Sequence, residues 1–210
     1  LVDTKNKRQL NLFGIVMPSQ SINKFQAQSK ESYGNRKVIL FIAMSLDGYI
    51  AKPDGDLGFL SIVQQKGEDY GYADFIKTVD TVIVGRKTYD KVISMVHDAP
   101  YSDKDVYIIT RSAKPSIGHL NFYSLGLKDL VFTLKRSVGK HIFVDGGAEI
   151  VNEMLGYNLI DEFYVSIIPV LLGEGIPLFK CGRPETTLKL IHSKHFKKGL
   201  VQLHYIRTNN

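Results

Sequence analysis

Three stretches of the chain are apolar with almost no interruption: KVILFIAMSL from Lys37 to Leu46, DTVIVG from Asp80 to Gly85, and HIFVDG from His141 to Gly146. A strand apolar at nearly every position cannot present either face to water. Such runs therefore predict strands covered on both faces, the situation of a parallel sheet between helices. Helical patterns fall between them. Tyr72, Phe75, Ile76 and Val79 recur at spacings of three and four and predict a helix over 69–79. RKTYDKVI (Arg86 to Ile93), LGLKDLVFTLKR (Leu125 to Arg136) and AEIVNEMLG (Ala148 to Gly156) predict three more, the last closing on glycine. DVYIIT (Asp105 to Thr110) adds a strand, and DGYIAKPDGDLG (Asp47 to Gly58) reads as a loop. DEFYVSIIPVLLG (Asp161 to Gly173) reads as one long strand whose Pro169 predicts an edge, a bulge or a bend. LKLIHSKHF and LVQLHYIR, either side of Lys198 and Gly199, predict a terminal antiparallel pair. The class is α/β: a mostly parallel central sheet flanked by helices, with an antiparallel C-terminal hairpin.

Residues 1–36 show no sustained periodicity and read as an extension; residues 37–210 read as one domain. The charge divides in the same way. Residues 1–37 hold seven Lys/Arg against two Asp/Glu, which accounts for five of the six units of net positive charge. The body is nearly neutral, which argues against a nucleic-acid partner. Cys181 is the only cysteine, so no intramolecular disulfide can form, and a cysteine-based zinc site is not expected. A single thiol fits a reducing compartment, and a cytoplasmic location is the expectation. No apolar run approaches the roughly 18 residues of a membrane span. LNLFGIVM (Leu10 to Met17), after Lys5, Lys7 and Arg8, faintly imitates a signal peptide but lacks a small-residue cleavage site. A transit peptide and a flexible arm stay open as readings of this segment.

Ligands of open α/β sheets bind beyond the carboxyl ends of the strands. Three such ends carry similar chemistry here. Arg86, Lys87 and Thr88 follow the second apolar run; Thr110, Arg111 and Ser112 end the strand at 105–110; Asp145, Gly146, Gly147 and Ala148 join the third run to its helix. Free N–H groups at a helix start, next to glycines that let a ligand approach the backbone, suit phosphate oxygens. Cations and hydroxyls at neighbouring ends suit a further phosphate, such as the 2′-phosphate of NADP. Taken singly, each feature is also compatible with a tight turn or a solvated charge. Neither G-x-G-x-x-G nor a P-loop is present.

AMSLDGYIA, DTVIVGRKTYD, FVDGGAEIVNEML and IIPVLLGEGIPLF together resemble the dihydrofolate-reductase-like fold family. The resemblance is strongest to the C-terminal reductase domain of bifunctional riboflavin-biosynthesis deaminase-reductases and its stand-alone relatives, and it spans about Val38 to Tyr205. It implies a homodimeric reductase that uses NADPH. In that family's pattern Arg86, Lys87 and Thr88 would hold cofactor phosphates, and Thr110, Arg111 and Ser112 would line the adenosine end. Gly146 and Gly147 would meet the pyrophosphate, joined by a cis peptide, with Ala148 opening the helix behind them. Ala43, Ile50 and Asp145 would lie near the nicotinamide, under a closing loop IAKPDGDLGF.

On the substrate side, Asp69 aligns with the active-site carboxylate of dihydrofolate reductases and Ser166 with a hydroxyl facing it. Asp69 reads equally as an acid in the first turn of a helix, and Ser166 as an inward-turned strand residue. Three functions stay open: a reductase of a pyrimidine- or pterin-like heterocycle (such as 5-amino-6-(5-phosphoribosylamino)uracil), a dihydrofolate reductase, and a non-catalytic nucleotide-binding protein. No metal is expected. The apolar stretch at 163–179 predicts a surface that a second copy of the chain would cover.

Overall fold

The computed structural model describes residues 9–10, 16–17, 34–95 and 101–208. A two-residue pair, β1 (Gln9–Leu10) and β2 (Val16–Met17), precedes the body. The body contains β3 (Val38–Ser45), β4 (Tyr49–Ala51), a 3-10 helix (Gly58–Val63), α1 (Tyr72–Lys77), β5 (Val79–Gly85), α2 (Arg86–Met95), β6 (Asp105–Ile109) and β7 (Leu120–Tyr123). It continues with α3 (Leu127–Arg136), β8 (His141–Gly146), α4 (Ala148–Gly156), β9 (Glu162–Ile168), β10 (Ile176–Pro177), β11 (Leu188–His195) and β12 (Val201–Arg207).

Eight strands form the main sheet in the order β11-β12-β9-β3-β8-β5-β6-β7. The six from β9 to β7 are mutually parallel; β12 runs antiparallel to β9 and to β11. Continuous apolarity in β3 has a direct cause. Ile39, Phe41 and Ala43 point into a core with Phe143, Val82, Val84 and the aromatic side of α1, whereas Val38 and Leu40 point into a second core under α3 and α4. The second core takes Leu127, Leu130, Val131 and Leu134 from α3, and Ile150, Val151, Met154 and Leu155 from α4, each set at helical spacing. The sheet is thus the middle of three layers, as its sequence demands.

Four boundaries differ from the sequence expectations. The helix expected over 69–79 spans only Tyr72–Lys77. Tyr70 and Gly71 both have positive φ, which no α-helix accepts, and strand pairing begins at Val79. The strand expected over 161–173 stops at Ile168, and Pro169 follows its end. β9 lies inside the sheet, paired with β3 on one side and β12 on the other, so Pro169 marks no edge. The loop at 47–58 contains β4, which pairs antiparallel with β10. Finally, β7 forms an edge strand that no periodic pattern announces.

Candidate active site

Sheet order assembles the site. Because β3, β8, β5 and β6 are consecutive neighbours, their carboxyl ends place Ala43, then Asp145–Ala148, then Gly85–Thr88, then Thr110–Ser112 side by side along one rim. Residues far apart in the sequence thereby share one rim of the sheet. At its centre the Gly146–Gly147 peptide is cis. Packing at this point is tight: a Cβ on Gly147 would stand 2.8 Å from the side-chain Thr88 Oγ1. A Cβ on Gly85 would stand 3.1 Å from Ile150 Cγ1 and 3.5 Å from both the Gly146 oxygen and the Gly147 nitrogen. Gly146 has φ +108, a conformation side chains resist.

The cations of the rim differ in how they are held. Arg86 Nε donates to both carboxylate oxygens of Asp90, at 2.8 Å each, and its guanidinium carbon stands 5.9 Å from the centre of the Phe122 ring. Lys87, Arg111 and Ser112 are exposed, and Thr88 and Thr110 half-buried. The Thr110 hydroxyl accepts from the Ser112 N–H at 3.3 Å, and the Thr110 N–H donates to the Tyr123 carbonyl at 2.9 Å, which fixes the turn after β6. Ala43 is buried on the aromatic side of the sheet, whereas Ile50 is half-buried in β4 against the other core.

Asp145 is the chemical anomaly. It is 2% exposed, and neither carboxylate oxygen completes a hydrogen bond of normal geometry with the described residues. Burial pushes its pKa up to about 7, and the neighbouring Tyr101 hydroxyl pulls it back only in part. Tyr72, buried, and Tyr101, half-buried, are raised in turn, first by desolvation and then by the Asp145 charge. A carboxyl in such surroundings favours its neutral form. Sequence reading quoted Asp145 but missed Tyr72 and Tyr101 as its companions. Tyr101 lies in a non-periodic segment, so no pattern pointed to it.

On the substrate side, Asp69 Oδ1 accepts from the Gly71 N–H and Oδ2 from the Ala73 N–H, both at 2.9 Å, so this carboxylate caps the entry to α1. Ser166 is fully buried, and its Oγ accepts from Gln202 Nε2 at 3.1 Å. The same Nε2 donates to the Tyr70 carbonyl at 3.1 Å. Gln202, which the sequence reading did not single out, therefore links Ser166 to the residue after Asp69; no hydrogen bond joins Asp69 to Ser166 directly. Only the register of β12 against β9, which sets Gln202 opposite Ser166, reveals this link. Among the described residues no group of three or more His, Cys, Asp or Glu could hold a metal ion. No helix among them is long and apolar enough to cross a membrane.

The sequence model of the RibD C-terminal domain matches residues 36–202. The chain belongs to the RibD C-terminal domain family. Its relatives include the uncharacterized protein YwjB of Bacillus subtilis (strain 168), 45% identical over 173 residues, which cover 82% of this chain and 98% of YwjB. A crystal structure of a putative riboflavin biosynthesis protein from Shewanella sp. PV-4 superposes with a TM-score of 0.74 at 30% identity, covering 82% of this chain and 99% of that one. Dihydrofolate reductase from Enterococcus faecalis, complexed with NADP(H), shares the fold with a TM-score of 0.54 at 14% identity, covering 85% of this chain and 100% of that one.

In this RibD C-terminal domain the rim fits a dinucleotide. Gly147 carries no Cβ and Thr88 Oγ1 stands against the place one would take, so a pyrophosphate at the start of α4 would meet this hydroxyl together with backbone N–H groups. Thr88 and the start of α4 offer donors around it, and Arg86, Lys87 and Arg111 supply positive charge on the side of β6.

Proposed function

We propose that this chain is an NADPH-dependent oxidoreductase that reduces a pyrimidine- or pterin-like heterocycle. The supporting observation is Asp145: a buried, incompletely bonded carboxyl with a pKa near 7, immediately before the Gly146–Gly147 cradle. When bound, NADPH supplies a hydride to an electrophilic carbon of the substrate. The chain's own contribution is orientation and a proton. Gly147, Thr88 and the start of α4 hold the pyrophosphate, and Arg86 with the Thr110–Ser112 turn holds the adenosine end. The Asp145 carboxyl gives its proton to the substrate heteroatom next to the reduced carbon and is left as a carboxylate. Tyr101, too basic to ionise, stabilises that carboxylate as a donor, and Tyr72 hydrogen-bonds Tyr101 beside it. The apolar wall of Phe41, Phe75 and Phe143 keeps water from the carboxyl and so preserves its neutral form. Asp69, committed to its cap, serves in this reading to set the entry of α1.

Single-turnover oxidation of NADPH against a panel of pyrimidines, pterins and dihydrofolate tests the proposal. The expected result is turnover with at least one heterocycle, at a rate that falls as pH rises through about 7 because the proton donor is lost. Asp145→Asn should keep NADPH binding and lose about 10²–10⁴-fold in the hydride-transfer rate. Binding of NADPH without oxidation by any member of the panel would favour a non-catalytic nucleotide-binding protein. Turnover confined to dihydrofolate would make the chain a dihydrofolate reductase.

A further inference from the structure

Arg86 is not a freely moving surface cation. Its Nε is spanned by both oxygens of Asp90, one helical turn along α2, and its guanidinium stands over the ring of Phe122 on β7. Lys114 approaches the same ring, with Nζ 5.8 Å from its centre. Two cations from different segments thus converge on one aromatic platform beside the Thr110–Ser112 turn. The carboxylate engages only Nε. Among the described residues the two terminal nitrogens of Arg86 make no hydrogen bond, and the side chain is 37% exposed. Those nitrogens present the forked pair of donors that matches two phosphate oxygens.

We propose that Asp90 is a positioning residue that sets the preference for NADPH over NADH, by holding Arg86 on Phe122 with its terminal nitrogens free for the 2′-phosphate. The inference rests on the dinucleotide reading above and goes beyond it. An unrestrained arginine loses much of its rotamer freedom on binding a phosphate. Here the loss has already been met in folding, because the Asp90 carboxylate and the Phe122 ring fix the side chain before any ligand arrives. NADH lacks the 2′-phosphate and never contacts the fork, so its affinity is independent of Asp90. The competing possibility is that Asp90 merely neutralises Arg86, and it predicts the opposite sign: removing the carboxylate would free the cation and tighten NADPH binding.

The test is titration of the full-length protein with NADPH and with NADH, for the wild type, Asp90→Asn and Asp90→Ala. Asp90→Ala should weaken NADPH by about tenfold and leave NADH unchanged. Asp90→Asn, whose amide oxygen can still accept from Arg86 Nε, should fall between the two. An unchanged or tightened NADPH affinity in Asp90→Ala would overturn the proposal. So would an equal weakening of both cofactors, which would place the effect in the folding of α2. A wild type that binds both cofactors equally would refute the selectivity itself, and one that binds neither would refute the dinucleotide reading with it.

Discussion

A carboxyl group that is more easily protonated in the folded chain than in the unfolded one leaves a signature in stability, and Asp145 is such a group. Its ordinary pKa of 3.8 rises to about 7 on folding. Between those values the native state holds a proton that the unfolded chain has released, so stability falls as pH rises through this window. It is greatest below the unfolded value and levels off above about pH 7. The integrated loss is on the order of 4 kcal/mol. Asp145→Asn cannot titrate and should lack this slope. Thermal unfolding of both proteins from pH 4 to 8 checks it: the wild type should lose midpoint temperature across the window relative to the variant. Parallel curves would mean that Asp145 is not buried in its charged form's disfavour. The same residue shows how far sequence carries at this scale. DGG could be quoted from the chain, and strand alternation sets Phe143 on the same face as Asp145, but the Tyr72 and Tyr101 rings that pack on Phe143 come from segments that no linear spacing brings to the acid.

Two loops leave the carboxyl ends of the adjacent strands β3 and β9, and one side chain fastens them together. Asp47 accepts from Ser45 Oγ at 2.5 Å, from the Leu172 N–H at 3.1 Å and from the Gly173 N–H at 2.7 Å. The Leu46 N–H donates to the Val170 carbonyl at 2.9 Å, and β4 pairs with β10 beyond it. A Cβ on Gly175 would stand 2.3 Å from the Ala51 carbonyl oxygen, so the loops meet backbone to backbone. Asp47→Asn cannot accept all three bonds with its amide. Hydrogen exchange should therefore quicken at Leu172 and Gly173 while the β9 amides stay protected; unchanged exchange at those two amides would contradict the latch. None of this was legible as structure, because a carboxylate that binds amides 125 residues away has no local pattern. By contrast β3, β5 and β8 were legible because they separate the two cores, and α4 because its apolar spacing faces the second core; α2, with Val92 as its buried residue, was legible as the segment that follows the strand ending at Gly85. α1 came out short because Asp69 caps it across residues of positive φ, and β7 was missed because an edge strand of four half-buried residues carries no strong alternation. At the candidate site the strand ends were readable and their companions Gln202, Tyr72, Tyr101, Asp90 and Phe122 were not.

At the scale of the molecule, the body begins one residue before the boundary drawn from periodicity. Arg36 is 4% exposed and bonds Asp80, Thr81 Oγ1, Ser137 Oγ and the carbonyls of Leu134 and Lys140, tying the start of β3 to β5 and the end of α3. The expected extension otherwise falls mainly outside the described residues. We propose that the chain is a homodimer, with the fastened loop pair as its contact. The apolar strand β9 is already covered inside the sheet, but Leu46 and Leu171 beside it are 61% and 69% exposed, and Ile176 and Phe179 extend the patch. Light scattering at micromolar concentration should give a dimer both for the full chain and for one lacking residues 1–33; a monodisperse monomer of the full chain would refute it. The central claim, that the rim at Gly146–Gly147 receives a dinucleotide, is tested most directly by calorimetric titration of NADPH into the wild type and Gly147→Val. A branched side chain there would fill the space beside Thr88 Oγ1, where even a Cβ comes within 2.8 Å. The account predicts that the wild type binds NADPH and that the variant, with an unchanged circular dichroism spectrum, does not. A folded Gly147→Val protein that binds NADPH as the wild type does, or a wild type that does not bind it, would contradict the account.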